Sequence, residues 1–326
     1  MPDVVAVEAI AIVNNPTQLL FAIEAAEEFR DDVRDLRVII VPTPAARDEL
    51  LYRNILDAAG IADVESLAFD SLTRFGRARD VGRFRLSIPS EAMIITPMLN
   101  YLPARSLLHR AGQRAVVTDD GSWTLHFAAQ RRSGASQFRT PLHALLPGSK
   151  VPDSLTFFTI YDDMIAGPHD RIVSNRLAWS RHTFHRGDKG AGMVILGSDL
   201  ARSGYITDSE FASHVGALRA CAVGAVEYWP HRREDLRLAE GMCNRLGMAL
   251  KQRTLPLEAE ILAADPSPAL VGTLPSTATR TLRVLRETVG YRVVVSIPDD
   301  AVISHERRVL FEPIARSARV DADRVL

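Results

Sequence analysis

Short apolar runs alternate with stretches of helical period along most of the chain. Val4–Val13 is a long apolar strand candidate. After it, Leu19, Leu20, Ile23, Ala26 and Phe29 recur at helical spacing behind Pro16. Proline is tolerated there because the first turn of a helix has no partner for its missing N–H. The pattern continues with a strand over Arg37–Val41, a helix over Pro44–Ala59 closed by Gly60, and strands over Val64–Phe69 and Ala92–Thr96. A helix over Ala104–Ala111 closed by Gly112 and a strand over Ala115–Thr118 complete this first series.

A second series opens at Met193–Leu196. A helix over Asp208–Cys221 follows, with Asp208 as its expected N-cap. Then come strand Gly224–Trp229, helices Asp235–Leu246 and Leu257–Ala264, strand Leu270–Leu274, helix Ala278–Val289 and strand Arg292–Ser296. Repeated βα alternation predicts parallel sheets. Two such series predict an α/β protein of two Rossmann-like domains, residues 1–186 and 187–326. Arg131–Pro152 has Gly, Ser, Pro and Arg without periodicity and reads as a long excursion, which in compact domains usually carries function. Arg181–Gly192 is polar, carries three glycines and is the expected interdomain linker.

Composition narrows the partners. The chain has 326 residues, 47% hydrophobic and 24% charged, with net charge −1. That suits a globular protein and gives no electrostatic reason for nucleic acid or an anionic membrane as partner. Lysine occurs only at Lys150, Lys189 and Lys251, so arginine supplies nearly all the basic residues. Cys221 and Cys243 lack the spacing of a metal or redox motif and make no disulfide framework. No basic leader opens the chain and no apolar run reaches spanning length, so a cytoplasmic protein is expected, meeting any membrane-linked substrate from that side.

Candidate chemistry lies where strands run into loops, the ligand-binding edge of open α/β sheets. Asp119 and Asp120 follow Ala115-Val116-Val117, and Gly121 frees the backbone for a tight turn. Of two adjacent carboxylates, one can be tuned as a base while backbone N–H groups hold the other. His231 follows the strand ending at Trp229 and precedes Arg232 and Arg233, a setting for holding or protonating a phosphate. Ser276 and Thr277 follow another strand and open a helix, whose hydroxyls and free N–H groups make a phosphate cradle or, equally, an ordinary cap. Glu258 opens a helix and could take ribose hydroxyls or simply face the helix dipole. Tyr161-Asp162-Asp163 is a second acidic pair, but no glycine follows it and no helical pattern resumes. The histidines show no metal-ligand spacing, and neither a P-loop nor a GxGxxG is present.

Together these segments resemble the bacterial sialyltransferases of the lipooligosaccharide sialyltransferase and capsule polysialyltransferase group. The matching segments are Asn15-Pro16-Thr17-Gln18 before an amphipathic helix, Asp119-Asp120-Gly121, Tyr228-Trp229-Pro230-His231-Arg232 and Pro275-Ser276-Thr277-Ala278. Smaller echoes are Phe157-Phe158-Thr159-Ile160-Tyr161, Leu196-Gly197-Ser198-Asp199 and Pro256-Leu257-Glu258. They run collinearly over most of the chain. The chain departs from the family pattern where proline precedes His231, where Asn15 replaces serine and where Thr17 replaces a hydrophobic residue.

The resemblance implies a GT-B type glycosyltransferase, two Rossmann-like domains facing a central cleft. It implies CMP-sialic acid, or a related nonulosonic acid on CMP, as donor substrate, with no other cofactor and no metal. The acceptor would be a saccharide hydroxyl, and no nucleic acid takes part. Asp119 maps to the general base, and His231, Ser276 and Thr277 map to the residues that hold the CMP phosphate. The expected catalytic set is Asp119, Asp120 and His231. The expected donor-binding set is Asn15, Gln18, Arg232, Glu258, Ser276 and Thr277. Another nucleotide sugar, a non-catalytic nucleotide-sugar-binding module, and a hydrolase or epimerase on the same fold are the rival readings. No residue pattern specifies the acceptor sugar, the linkage or the oligomeric state.

Overall fold

The computed structural model describes residues 6–41, 48–67, 82–97, 114–133, 152–188, 190–299 and 305–326, with Ala104, Leu107 and Ile303 besides. Chain contacts divide it into two units, Met1–Trp179 and Ser180–Leu326.

The first unit holds β1 (Val7–Val13), α1 (Pro16–Glu28), β2 (Val33–Ile40), α2 (Asp48–Ala59), β3 (Val64–Ser66), β4 (Met93–Ile95), β5 (Arg114–Val117), α3 (Ser122–Arg132), β6 (Thr156–Thr159) and β7 (Arg171–Ser174). Its seven strands lie in the order β3-β2-β1-β4-β5-β6-β7, and every pairing is parallel. Ala9–Val13 and Ile94–Ile95 have no exposed surface, as strands covered on both faces require. The strand order reverses direction between β1 and β4, which makes the carboxyl ends of those strands the place for a ligand.

α4 (Ala178–Phe184) crosses the division of the chain. The second unit then adds β8 (Met193–Leu196), α5 (Asp208–Arg219), β9 (Val226–Trp229), α6 (Leu236–Leu246), β10 (Ala249–Leu250), α7 (Leu257–Ala263), β11 (Leu270–Thr273), α8 (Ala278–Val289), β12 (Arg292–Val295), α9 (His305–Asp321) and β13 (Arg324–Val325). Its strand order, β10-β9-β8-β11-β12-β13, repeats the plan of the first unit, again all parallel. Met193, Ile195, Phe211, Val215, Tyr228, Met242, Val294 and Phe311 form one continuous core between its sheet and α5, α6 and α9. The reversal point lies between β8 and β11.

Several expectations are corrected here. Thr207, not Asp208, caps α5. Its hydroxyl accepts from Glu210 N, and the Glu210 carboxylate accepts from Thr207 N in return, a reciprocal box that Asp208 cannot make. The stretch expected to link the domains is packed into the second unit instead. Arg181 Nη2 donates to Val284 O at 2.7 Å, Arg186 N to Leu262 O at 3.3 Å and Gly190 N to Ser267 O at 2.8 Å. β2 begins at Val33, before the expected Arg37, because Val33, Asp35 and Leu36 also pair with β1. Arg131 belongs to the last turn of α3, not to an irregular excursion. There it makes a bidentate pair with Asp170 at 2.5 and 2.7 Å, with the Asp170 carboxylate fully buried, and so fixes the returning chain at Pro152 and Asp153. The rest of that excursion, residues 134–151, lies outside the described residues, as do the expected helix starts at Pro44 and most of 104–111. Among the described residues no helix is long and apolar enough to cross a membrane.

Candidate functional site

The carboxyl edges of the two sheets carry two different constellations. In the first unit, Gly121 takes φ +60° after the acidic pair and lets α3 start at once. Asp119 is 2% exposed. Its Oδ1 accepts from the Thr159 hydroxyl at 2.6 Å and its Oδ2 from Ile160 N at 2.7 Å, so one carboxylate ties the end of β5 to the end of β6. Burial pushes this carboxyl up to about 7, against the downward pull of those hydrogen bonds. A carboxyl tuned to that range is suited to taking a proton near neutral pH.

Asp120 is half-buried, and its Oδ1 accepts from Gln18 Nε2 at 2.8 Å. Gln18 is itself fixed. Its Oε1 accepts from Asn14 N at 2.8 Å, and its own N–H donates to Asn15 Oδ1 at 3.0 Å. Asn15 is therefore the N-cap of α1, and Gln18 is the strut between the β1 turn and the acidic turn. The structure brings Asn15, Gln18, Asp119 and Asp120 together in one hydrogen-bonded group.

In the second unit, His231 follows β9 and is half-buried. Its backbone N–H donates to Glu234 Oε1 at 2.9 Å, and its Nδ1 accepts from Arg233 N at 3.3 Å. An Nδ1 that accepts leaves the ring proton on Nε2. Burial holds the imidazole down at about 4, and Arg253, Arg232 and Arg233 add to that against the opposing pull of Asp199. The ring is thus a neutral Nε2–H donor surrounded by guanidinium groups, a setting that suits an anion.

Gly197, Glu234 and Arg253 also belong to this site, and Glu234 and Arg253 carry no motif that sequence reasoning picked out for them. Glu234 Oε2 accepts from the Tyr228 hydroxyl at 2.6 Å, and burial pushes its carboxyl up to about 7. It lies so close to the end of β8 that a Cβ on Gly197 would fall 1.9 Å from Glu234 Oε1, and 2.6 Å from the backbone N of His231, which cannot turn away. Only glycine fits there. The Leu196-Gly197-Ser198-Asp199 resemblance was the available signal for Gly197, and Glu234 had none. Arg253 Nη2 donates to Pro230 O at 3.4 Å, and Glu234, Glu258 and Glu260 act on its charge.

Glu258, in the first turn of α7, is 4% exposed, and among the described residues its Oε2 has no hydrogen-bond partner. Burial raises its carboxyl, and Arg253 pulls it back. Buried acceptors are nearly always satisfied, so an open one is a place for a donor from outside the chain. Thr277 sits at the N-cap of α8 with helical backbone angles and makes no capping hydrogen bond with its side chain. Thr279 instead turns its hydroxyl back to Ser276 O at 2.7 Å. The Thr277 hydroxyl is left uncommitted by the cap, but the free N–H cradle expected here is corrected: Thr279 N donates to Ser276 O and Arg280 N to Thr277 O, both at 3.2 Å, because the first turn tightens on itself. Arg232 lies in the His231 loop, and Ser276 and Thr277 lie at the end of β11, one strand beyond β8. Among the described residues no three His, Cys, Asp or Glu side chains gather as a metal site.

No protein-family profile matches the chain, and no curated protein matches it by sequence. Solved structures do match it in fold. One is a Listeria monocytogenes protein put forward as a UDP-N-acetylglucosamine 2-epimerase, with TM-score 0.53 and 11% identity over 97% of this chain and 88% of that one. Another is the GT-B domain of a Photobacterium damselae sialyltransferase, with TM-score 0.50 and 10% identity over 98% and 99%. A third is the spinosyn forosaminyltransferase SpnP, with TM-score 0.50 and 13% identity over 96% and 93%. At these identities the likeness is one of fold, and the fold is two parallel-sheet Rossmann-like domains of the GT-B glycosyltransferase type.

Proposed function

We propose that the protein is an inverting glycosyltransferase that moves sialic acid or a related nonulosonic acid from a CMP-activated donor to a saccharide hydroxyl. The observation that carries this reading is Asp119, a buried carboxyl raised to about 7 at the carboxyl edge of a GT-B domain. The collinear sialyltransferase-like segments, and a sialyltransferase among the fold neighbours, support the choice of donor.

In the proposed reaction Asp119 takes the proton of the acceptor hydroxyl as that oxygen attacks the anomeric carbon. The bond to CMP breaks through an oxocarbenium-like state, as in other glycosyl chemistry. Negative charge grows on the departing phosphate. His231 Nε2–H, the Ser276 and Thr277 hydroxyls and Arg232 stabilise it. A phosphate dianion beside His231 raises the imidazole from its low resting value, so the ring can pass a proton to CMP once the anion is bound. Glu258 offers its open Oε2 to a ribose hydroxyl. Asp120, fixed by Gln18, holds the acidic turn. The reaction needs no divalent ion, and turnover that stops with EDTA and returns with magnesium overturns that part.

Thermal-shift titration with CMP, UMP, UDP, GDP and ADP tests the donor. A ligand that binds only the folded protein raises its melting temperature by mass action. CMP is expected to raise it most. Equal or greater stabilisation by UDP or GDP rejects the cytidine donor and leaves transfer from another nucleotide sugar as the reading.

A further inference from the structure

Glu234 is a carboxyl beside His231 that the proposed transfer does not use. We propose that Glu234 is a positioning residue, which closes the turn 231–234 around the His231 imidazole and holds that ring as an Nε2–H donor to the leaving phosphate. This deepens the transferase reading and rests on it.

Three bonds close the turn, and all of them involve His231. Its backbone N–H donates to Glu234 Oε1 at 2.9 Å. Its carbonyl accepts from Glu234 N at 3.0 Å. Its ring Nδ1 accepts from Arg233 N at 3.3 Å. The first two bonds fix the backbone on both sides of the His231 side chain and so bring Nδ1 to the Arg233 N–H. An imidazole whose Nδ1 accepts carries its proton on Nε2. The tautomer therefore depends on the turn, and the turn depends on the carboxylate.

The carboxylate is itself anchored. Its Oε2 accepts from the Tyr228 hydroxyl at 2.6 Å, and Tyr228, on β9, has no exposed surface. On its other side is Gly197, whose N–H donates to Trp229 O at 2.8 Å and extends the β8–β9 pairing by one bond. A side chain at Gly197 would meet Glu234 Oε1 and His231 N together. Tyr228, Glu234 and His231 thus form a chain of contacts from the core of the sheet to the imidazole.

Burial disfavours the charged form of Glu234, and Asp199 adds to that while Arg253 opposes it. An apolar side chain would avoid that cost but would leave the His231 N–H and the Tyr228 hydroxyl unpaired. A carboxylate touching the phosphate would repel it. Each Glu234 oxygen instead meets a donor of the chain itself, so its action on the phosphate passes through His231.

The test reads the ring and the affinity separately. Long-range proton–nitrogen spectra of the full-length, nitrogen-15-labelled protein, without ligand and near neutral pH, report the tautomer. The His231 signals are assigned by their loss in His231→Ala. Wild type is expected to show a single Nε2–H ring. Glu234→Ala should show both tautomers and weaken CMP binding by about tenfold. Glu234→Gln keeps an acceptor for His231 N and can turn its amide to the Tyr228 oxygen. It should keep the single tautomer and bind CMP within about threefold of wild type. Tyr228→Phe should fall between the two. In a double-mutant cycle, Glu234→Ala should cost no further affinity once His231 is alanine. Additive losses, a single tautomer retained in Glu234→Ala, or Glu234→Gln as weak as Glu234→Ala overturns the positioning role. If Glu234→Ala does not fold, Tyr228→Phe carries the same readings, and an unchanged ring with unchanged affinity overturns the proposal. A wild type that shows the single Nε2–H ring and binds no CMP overturns the donor alone. CMP binding with a ring indifferent to Glu234 overturns the positioning alone.

Discussion

The two units share a strand order and differ in how their polar side chains are used at the carboxyl edge. In the first unit the chain satisfies itself. Asp119 has both oxygens engaged, Gln18 bridges Asn14 and Asp120, and Asn15 caps its own helix. In the second unit capacity is left open. Thr277 caps nothing with its side chain, Glu258 Oε2 has no partner among the described residues and His231 presents Nε2–H among arginines. A group held by the protein is preorganised, and its environment rather than its availability is what has been set. A group left open waits for a ligand that completes it. The first pattern suits a reacting side chain whose basicity matters, and the second suits a binding cradle.

The hardest way to break this comparison is at Asp119. Asp119→Asn keeps the size of the side chain, and the Thr159 hydroxyl can turn to accept from the new amide. Transfer is expected to fall by about 100- to 10,000-fold, the range of general-base catalysis, while CMP affinity stays near wild type. Single-turnover transfer with CMP affinity alongside checks this. Near-normal transfer eliminates Asp119 and moves the role to Asp120.

The same carboxyl sets a pH dependence. Its folded value of about 7 lies above the ordinary 3.8. Transfer should therefore rise with pH through about 7 as the base ionises. Stability runs the other way. The folded state favours the protonated form, so this contribution is fully present below about pH 4 and lost as pH rises through 7. Asp119→Asn should gain stability relative to wild type on going from pH 5 to pH 8. A pH-independent difference between the two proteins contradicts the burial argument.

A smaller effect is expected at the open edge. A hydrogen bond to a charged phosphate contributes about 1.5–3 kcal/mol, so His231→Ala should weaken CMP binding by about 10- to 150-fold. His169→Ala, an exposed histidine of the first unit, is the control and should change little. Unchanged CMP affinity in His231→Ala places the phosphate elsewhere.

Much of this contrast was legible beforehand, and the part that was not has physical causes. β8 and α8 have the bounds their apolar patterns predict, because a buried parallel strand and a helix ending at Gly290 are written locally. β10 and β13 have two residues each and exist only through their partners, so no local pattern announces them. α9 runs through Pro313 because Phe311, Ala315 and Ala318 bury one face of it, and packing outweighs the local cost of proline. At the site, Asp119, His231 and Thr277 could be named from their places after strands. That Asp119 is sealed and Thr277 open could not, because each depends on a partner or its absence far along the chain. Glu234 shows the same limit, since its role arises from the approach of Gly197, more than thirty residues earlier in sequence.

The smallest effects expected compare the two helix caps directly, and they test the contrast where it is least cluttered. Asn15 accepts from Gln18 N at 3.0 Å and thereby supports the strut to Asp120. Asn15→Ala should cost about 1 kcal/mol of stability, the usual loss for an N-cap, and leave CMP affinity unchanged. Thr277 makes no such bond, so Thr277→Val keeps its shape, removes an unused hydroxyl and should cost well under about 0.5 kcal/mol. Its effect should appear instead as a loss of a few fold in CMP affinity, since the phosphate loses one neutral donor among several. Urea denaturation and CMP titration on both variants give the four numbers needed. The expected result is a crossed pattern, stability lost at Asn15 and affinity lost at Thr277. If Thr277→Val destabilises as much as Asn15→Ala and binds CMP like wild type, Thr277 is an ordinary cap, and the second unit is no more open than the first.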